Sequence, residues 1–163
     1  MKTRIPKALL DSLPKLRAIS IRQPFAELVL RGDKIIEYRS KVTHVRGQVY
    51  VYASLGLKPV EDWEEVGIKP YSLPTGVLVG TVEVVDCTPS DTYDGEYDWH
   101  LARPERLDML VAPKEHPQPI WFYPFGRPEG GPEVSGAVAA LPSDKTRKKR
   151  RTSRKRKIAI RAE

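Results

Sequence analysis

The sequence predicts a small β-barrel or an α+β fold, with only a few short helices and a flexible basic tail. Three observations carry this. Apolar residues gather in several short stretches that alternate as strands do, in "RAISI", "GQVYVYAS" and "TGVLVGTVEVVDCTP". Helical patterns occur only two or three times and do not alternate regularly with the strands, which argues against parallel βαβ architecture. After Phe125 the composition turns to Gly, Pro and Ala, and from Lys145 to Lys and Arg, leaving too little apolar surface to offset the entropy of ordering.

A chain of 163 residues suits one domain with extensions and is long enough to bury a core. The formal net charge is +7, yet residues 144–163 hold 11 of the 28 Lys and Arg and 2 of the 21 acids. That leaves 17 bases against 19 acids in residues 1–143, a net charge of −2. Attraction to phosphate from overall charge therefore belongs to the tail, and recognition by the domain needs a local site. One cysteine, Cys87, excludes an internal disulfide framework, and no group of Cys and His has the spacing of a metal site. No segment reaches the length of a membrane span or of a signal-peptide core, so a reduced cytoplasmic setting is expected, or a nuclear one in a eukaryotic host.

In order along the chain, "IPKALLDSL" reads as a short helix within an N-terminal extension, residues 1–16, that Pro14 cuts off. "RAISI" reads as a strand. "QPFAELVLRG" reads as a helix with Pro24 in its first turn, Gly32 just past its end, and Phe25, Leu28 and Val29 spaced for one buried face. In "RGDKIIEYRS" a strand follows, because Ile35, Ile36 and Tyr38 favour one. Its alternation puts Glu37 and Arg39 on one face, roughly 7 Å apart at ~3.3 Å per residue. Lys34 lies at the turn, with a stem long enough to curl over that face. "GQVYVYAS" is the next strand, "KPVEDWEEVG" an acidic helix, and "TGVLVGTVEVVDCTP" a long strand with a bend at Gly80. Turn residues fill "PSDTYDGEYD", the sequence then reads as irregular, and "PIWFYPF" is the closing strand. Residues 17–125 are thus the folded domain and 126–163 the tail.

The stretch "ISIRQPFAELVLRGDKIIEYRS" resembles the signature of the ASCH domain, a member of the PUA-like superfamily. Gly32, Lys34, Glu37 and Arg39 stand in its Gly-x-Lys-x-x-Glu-x-Arg pattern, and "GEYDWHLARPERL" and "PIWFYPF" resemble the family's later Tyr-x-Trp stretch and aromatic strand. The resemblance covers roughly residues 17–125 and implies a small PUA-like β-barrel whose cleft, beside the first helix of the domain, receives the motif's charged side chains. It also implies binding of RNA or of modified nucleosides. One branch of the family hydrolyses the acetyl amide of N4-acetylcytidine with a motif lysine and a threonine three positions later. Lys34 matches that lysine, and Glu37 stands where the threonine would be.

The candidate ligand-binding residues are Arg22, Gln23, Lys34, Glu37, Arg39, Trp99 and Trp121. Arginine offers a planar fork to phosphate or a base edge, and glutamate accepts from an exocyclic amine. Arg22 and Gln23 lie at the strand-to-helix junction, and Trp99 and Trp121 offer faces for a splayed-out base. The same charges would serve equally as a partly buried ion network fastening helix to barrel. If the protein is an enzyme, Lys34 and Glu37 are the catalytic pair of an amidohydrolase on an acylated cytidine-type nucleoside, or of a ribonuclease. No cofactor and no metal are expected. In the tail, Lys145, Arg147, Lys148, Lys149, Arg150, Arg151, Arg154, Lys155, Arg156 and Lys157 are the phosphate-contacting candidates. The expected function is that of a nucleic-acid-binding module, RNA first, with a cleft for one nucleotide or modified nucleoside and a tail adding phosphate affinity.

Overall fold

The computed structural model describes residues 7–114 and 120–130. Three short helices, α1 (Lys7–Ser12), α2 (Phe25–Arg31) and α3 (Val60–Glu65), accompany six strands. These are β1 (Ala18–Ile21), β2 (Ile36–Arg39), β3 (Gly47–Ala53), β4 (Val77–Pro89), β5 (Tyr97–Val111) and β6 (Trp121–Phe122). They form one sheet in the order β2-β5-β4-β3-β1-β6, curled into a half-barrel. Its pairs are antiparallel apart from β1 with β3, where Ala18 faces Tyr50 and Ile21 faces Ala53.

Alternation along the strands builds the interior. Ile19, Ile21, Val49, Val51, Val82, Val84, Trp99 and Leu101 point inward and are buried, and α2 lays Ala26, Val29 and Leu30 against them. Fully burying an aliphatic side chain of this size stabilises by about 1.5–3 kcal/mol. The outer face of β1 and β3 carries Ala18, Tyr50 and Tyr52, covered by Leu10, Leu13 and Leu16 of the N-terminal segment together with Phe122 and Phe125. Burial pushes the Tyr50 phenol up to about 12, and its hydroxyl donates to the Pro14 carbonyl at 2.8 Å. The acidic helix α3 contributes Trp63, fully buried with Ile68 against Leu28 of α2.

Gly80 marks a close approach: a Cβ there would run into the Glu105 carbonyl oxygen and the Leu30 side chain. The pairing register shifts beside it, between Leu78 and Gly80.

The stretch read as irregular is corrected. Residues 97–111 form β5, at 15 residues the longest strand of the sheet. Its alternation breaks because the register of β4 with β5 shifts three times. One shift sets Arg103 and Pro104 as a bulge opposite Val82, with Arg103 at φ +49°. Pro104 is tolerated because it lies in that bulge, between the paired residues Ala102 and Glu105 and without a register partner of its own. Past Leu101 most of the strand also faces solvent, which hides it from a search for apolar alternation.

Candidate functional site

Backbone geometry at the end of α2 sets up the site. Gly32 adopts φ +80° and caps the helix through its N–H, which lies 3.1 Å from the Val29 carbonyl. The chain reverses there, and the Asp33 and Lys34 amides both donate to the Leu28 carbonyl, at 3.0 and 3.1 Å. Lys34 is thereby returned along the helix it has just left. Its ammonium donates to the Ile36 carbonyl and to Glu37 Oε2, the latter at 2.7 Å.

Glu37 also pairs with Arg39, Oε1 to Nη2 at 2.9 Å, so one carboxylate is shared by two cations. All three side chains are largely withdrawn from water: 8% exposed for Lys34, 12% for Glu37 and 20% for Arg39. The same Nη2 donates to the Ser20 carbonyl at 2.7 Å. Because β2 is one edge of the sheet and β1 lies next to the other edge, this bond bridges the mouth of the half-barrel. The Arg39 guanidinium lies 5.8 Å from the Trp99 ring centroid, and its buried Nε has no hydrogen-bond partner among the described residues.

Lys34, Glu37, Arg39, Trp99 and Trp121 are thus brought together, but the two tryptophans play unequal parts. Trp99 is 1% exposed, stacks on Trp121 at 5.3 Å with 6° between planes, and donates its indole N–H to the Lys41 carbonyl at 2.9 Å. As a face for an incoming base Trp99 is therefore a correction: strand alternation turns it into the core, although its sequence neighbours Asp98 and His100 are polar. Trp121, partly exposed, presents the outer side of the stacked pair.

Gln23 is buried as a brace. It accepts from the Glu27 amide at 3.1 Å and donates to the Pro74 carbonyl at 3.2 Å, tying the first turn of α2 to the loop before β4. Arg22 is exposed, lies over Gly56 and makes no ion pair among the described residues. The ten basic tail candidates lie outside the described residues.

A second ionic group escaped the sequence. Glu27, buried on α2, takes Arg106 of β5 in a two-pronged bond at 2.6 and 3.0 Å and Arg31 at 2.8 Å. Burial pushes the Glu27 carboxyl up, and the two arginines outweigh it, so the group sits below the usual carboxylate range. The i,i+4 spacing of Glu27 and Arg31 is visible in the sequence, but the bond to Arg106, 79 residues on, is not. Beside this group, a pocket of about 310 Å³ opens between the end of α2 and the β5 bulge, lined by Val29, Lys34, Ile35, Leu101, Arg103 and Pro104 among others. Lys34 thus lines this pocket while its ammonium pairs with Glu37. Chemically, the arrangement offers a cation, a carboxylate and a guanidinium fork to a polar planar ligand. Among the described residues no cluster of His, Cys, Asp and Glu could hold a metal ion.

Human activating signal cointegrator 1 is 27% identical over 90 residues, covering 48% of this chain and 16% of that protein. The mouse protein of the same name is 29% identical over 91 residues with the same coverage. The chain thus matches only a small part of either relative's length. The family described as ASCH domain matches residues 19–123, which runs from β1 past β6 and takes in the whole Lys34–Glu37–Arg39 ladder. With well over half of its residues inside that match, the chain belongs to the ASCH domain family.

Proposed function

We propose that this ASCH domain binds nucleic acid, RNA before DNA, and that its cleft holds one nucleotide or modified nucleoside while the segment from Lys145 to Lys157 adds affinity for phosphate. One observation carries the reading: a carboxylate shared by two cations, nearly withdrawn from water, at the mouth of a barrel whose other inward positions are apolar. Hydrophobic residues of similar volume would hold helix to barrel as well or better. Charges kept in such a place are suited to a polar ligand whose donors and acceptors replace the water they have lost. Glu37 suits an exocyclic amine, Arg39 a carbonyl or phosphate oxygen, and Trp121 the face of a base.

The test is a panel of modified and unmodified nucleosides and short RNAs, read first for binding by calorimetry and then for products. The full chain is compared with Lys34→Ala and Arg39→Ala. Binding that both variants weaken supports the reading. Consumption of a nucleoside abolished by Lys34→Ala would make the protein a hydrolase, with Lys34 and Glu37 as its catalytic pair. Ligand affinity unchanged in both variants would refute the site.

A further inference from the structure

The opposite end of β1 and β6 carries a feature that the cleft does not use. Ala18 faces Phe122 and Ile19 faces Trp121, so the next pair outward sets Arg17 beside Tyr123. The Arg17 Nε–H donates to the Tyr123 hydroxyl at 2.8 Å, and its guanidinium carbon lies 5.4 Å from the ring centroid. A second guanidinium, from Arg127, lies 5.8 Å from the same centroid. The Lys114 amide donates to the Pro124 carbonyl at 2.9 Å, which brings another basic residue alongside.

Two arginines on one tyrosine ring repel each other, and the usual remedy is a carboxylate. Among the described residues neither Arg17 nor Arg127 makes an ion pair, although Glu129 stands two positions from Arg127, and Lys114 lies 3.9 Å from Asp11. An exposed cation–π contact is worth only about 0.5–1 kcal/mol, too little to explain pairing like charges for stability. Tyr123 is partly exposed and Arg127 exposed. This concentration of positive charge also runs against residues 1–143, which are net −2. What fits is an anion that two guanidinium forks can hold beside an aromatic face: the phosphate and base of a single strand. Arg17 lies three residues along β1 from Ser20, whose carbonyl Arg39 holds, a distance of about 10 Å. Only a few nucleotides would bridge the two places.

We propose that Arg17, Tyr123 and Arg127 form a second contact for single-stranded nucleic acid, clamping a phosphate and stacking a base a few nucleotides from the one in the cleft. This rests on the nucleic-acid reading above and extends it to a surface outside the Lys34–Glu37–Arg39 ladder. The test uses the full chain and a fluorescent 12-nucleotide oligouridylate, with affinity measured by anisotropy across a range of KCl concentrations. Arg127→Gln should lower the salt slope by about 0.7 and the affinity at 0.1 M salt by about fivefold. Arg127→Lys, which keeps the charge, should restore the slope. Tyr123→Leu should weaken binding by about fivefold or more without the slope change. Crosslinking with 4-thiouridine in the strand should mark Tyr123. Arg127→Gln and Tyr123→Leu variants that bind like the parent overturn the second contact and leave the nucleic-acid reading intact. Failure of the parent chain to bind the oligonucleotide at all overturns both.

Discussion

Replacing Glu37 by Gln preserves the shape of the side chain and removes the one charge that two cations share. Lys34 Nζ and Arg39 Nη2, 2.7 and 2.9 Å from its two oxygens, are then left facing a neutral amide with like charges on both sides. Removing one partner of a buried pair costs about 3–5 kcal/mol. Arg39 is 20% exposed and keeps the Ser20 carbonyl, so it recovers part of its hydration, and the lower end of that range, about 3 kcal/mol, applies here. Lys34→Met is milder, about 1–2 kcal/mol, because Glu37 retains Arg39 and the new side chain is apolar. With a urea m-value of about 2 kcal/mol/M, the Glu37→Gln midpoint falls by about 1.5 M and the Lys34→Met midpoint by less than about 1 M. The double variant should lose less than the sum of the two, since the ammonium stranded by the first change is removed by the second. Equilibrium urea unfolding followed by tryptophan fluorescence reads all three. A Glu37→Gln chain as stable as the parent, or more stable than Lys34→Met, would refute the shared-carboxylate account.

Gly80→Ala drives a methyl into the Glu105 carbonyl and the Leu30 side chain, and should cost about 1–3 kcal/mol, seen as a lowered thermal midpoint. Glu27 has a lowered pKa when folded, so its contribution to stability is fully present above the unfolded value near 4.3 and fades as pH falls through the folded value. Glu27→Gln should therefore destabilise by about 1–3 kcal/mol at pH 7 and by progressively less as the pH is lowered below about 4, read as the gap between the two urea midpoints. Deleting residues 144–163, which carry 11 basic side chains, should lower RNA affinity and flatten its salt dependence in filter-binding measurements; an unchanged slope would remove the tail from the account.

The parts of this molecule legible in its sequence are those that local periodicity decides. The helix between Pro24 and Gly32, the strand at Ile36–Arg39 and the approach of Lys34 to Glu37 all follow from spacing within a dozen residues, where alternation and side-chain reach leave little choice. Trp99 shows where that logic stops. Its neighbours Asp98 and His100 are polar, but which face of a strand is inward depends on what pairs with it, and β2 and β4 lie on either side of Trp99. Strand β5 eludes periodicity because a bulge at Arg103 and Pro104 resets the alternation halfway along. The Glu27–Arg106 bond joins elements 79 residues apart, and no local pattern encodes it.

The strand order also sets a timetable for synthesis. The meander β3-β4-β5 pairs neighbours in sequence and can form as soon as Val111 has left the ribosome. The pairing of β1 with β6 cannot. Ile19 waits for Trp121, and Trp99 has no stacking partner until that same residue emerges, 102 positions after the strand it joins. At ~5–20 residues per second, the 82 residues between Arg39 and Trp121 mean that a nascent chain carries Lys34, Glu37 and Arg39 for about 4–16 s before the stacking partner of Trp99 is made. The sheet is complete only after Trp121 and Phe122 have emerged, so a chain stalled or cut before Trp121 would carry the Gly32–Arg39 signature without β6 beside β1 or an indole stacked on Trp99.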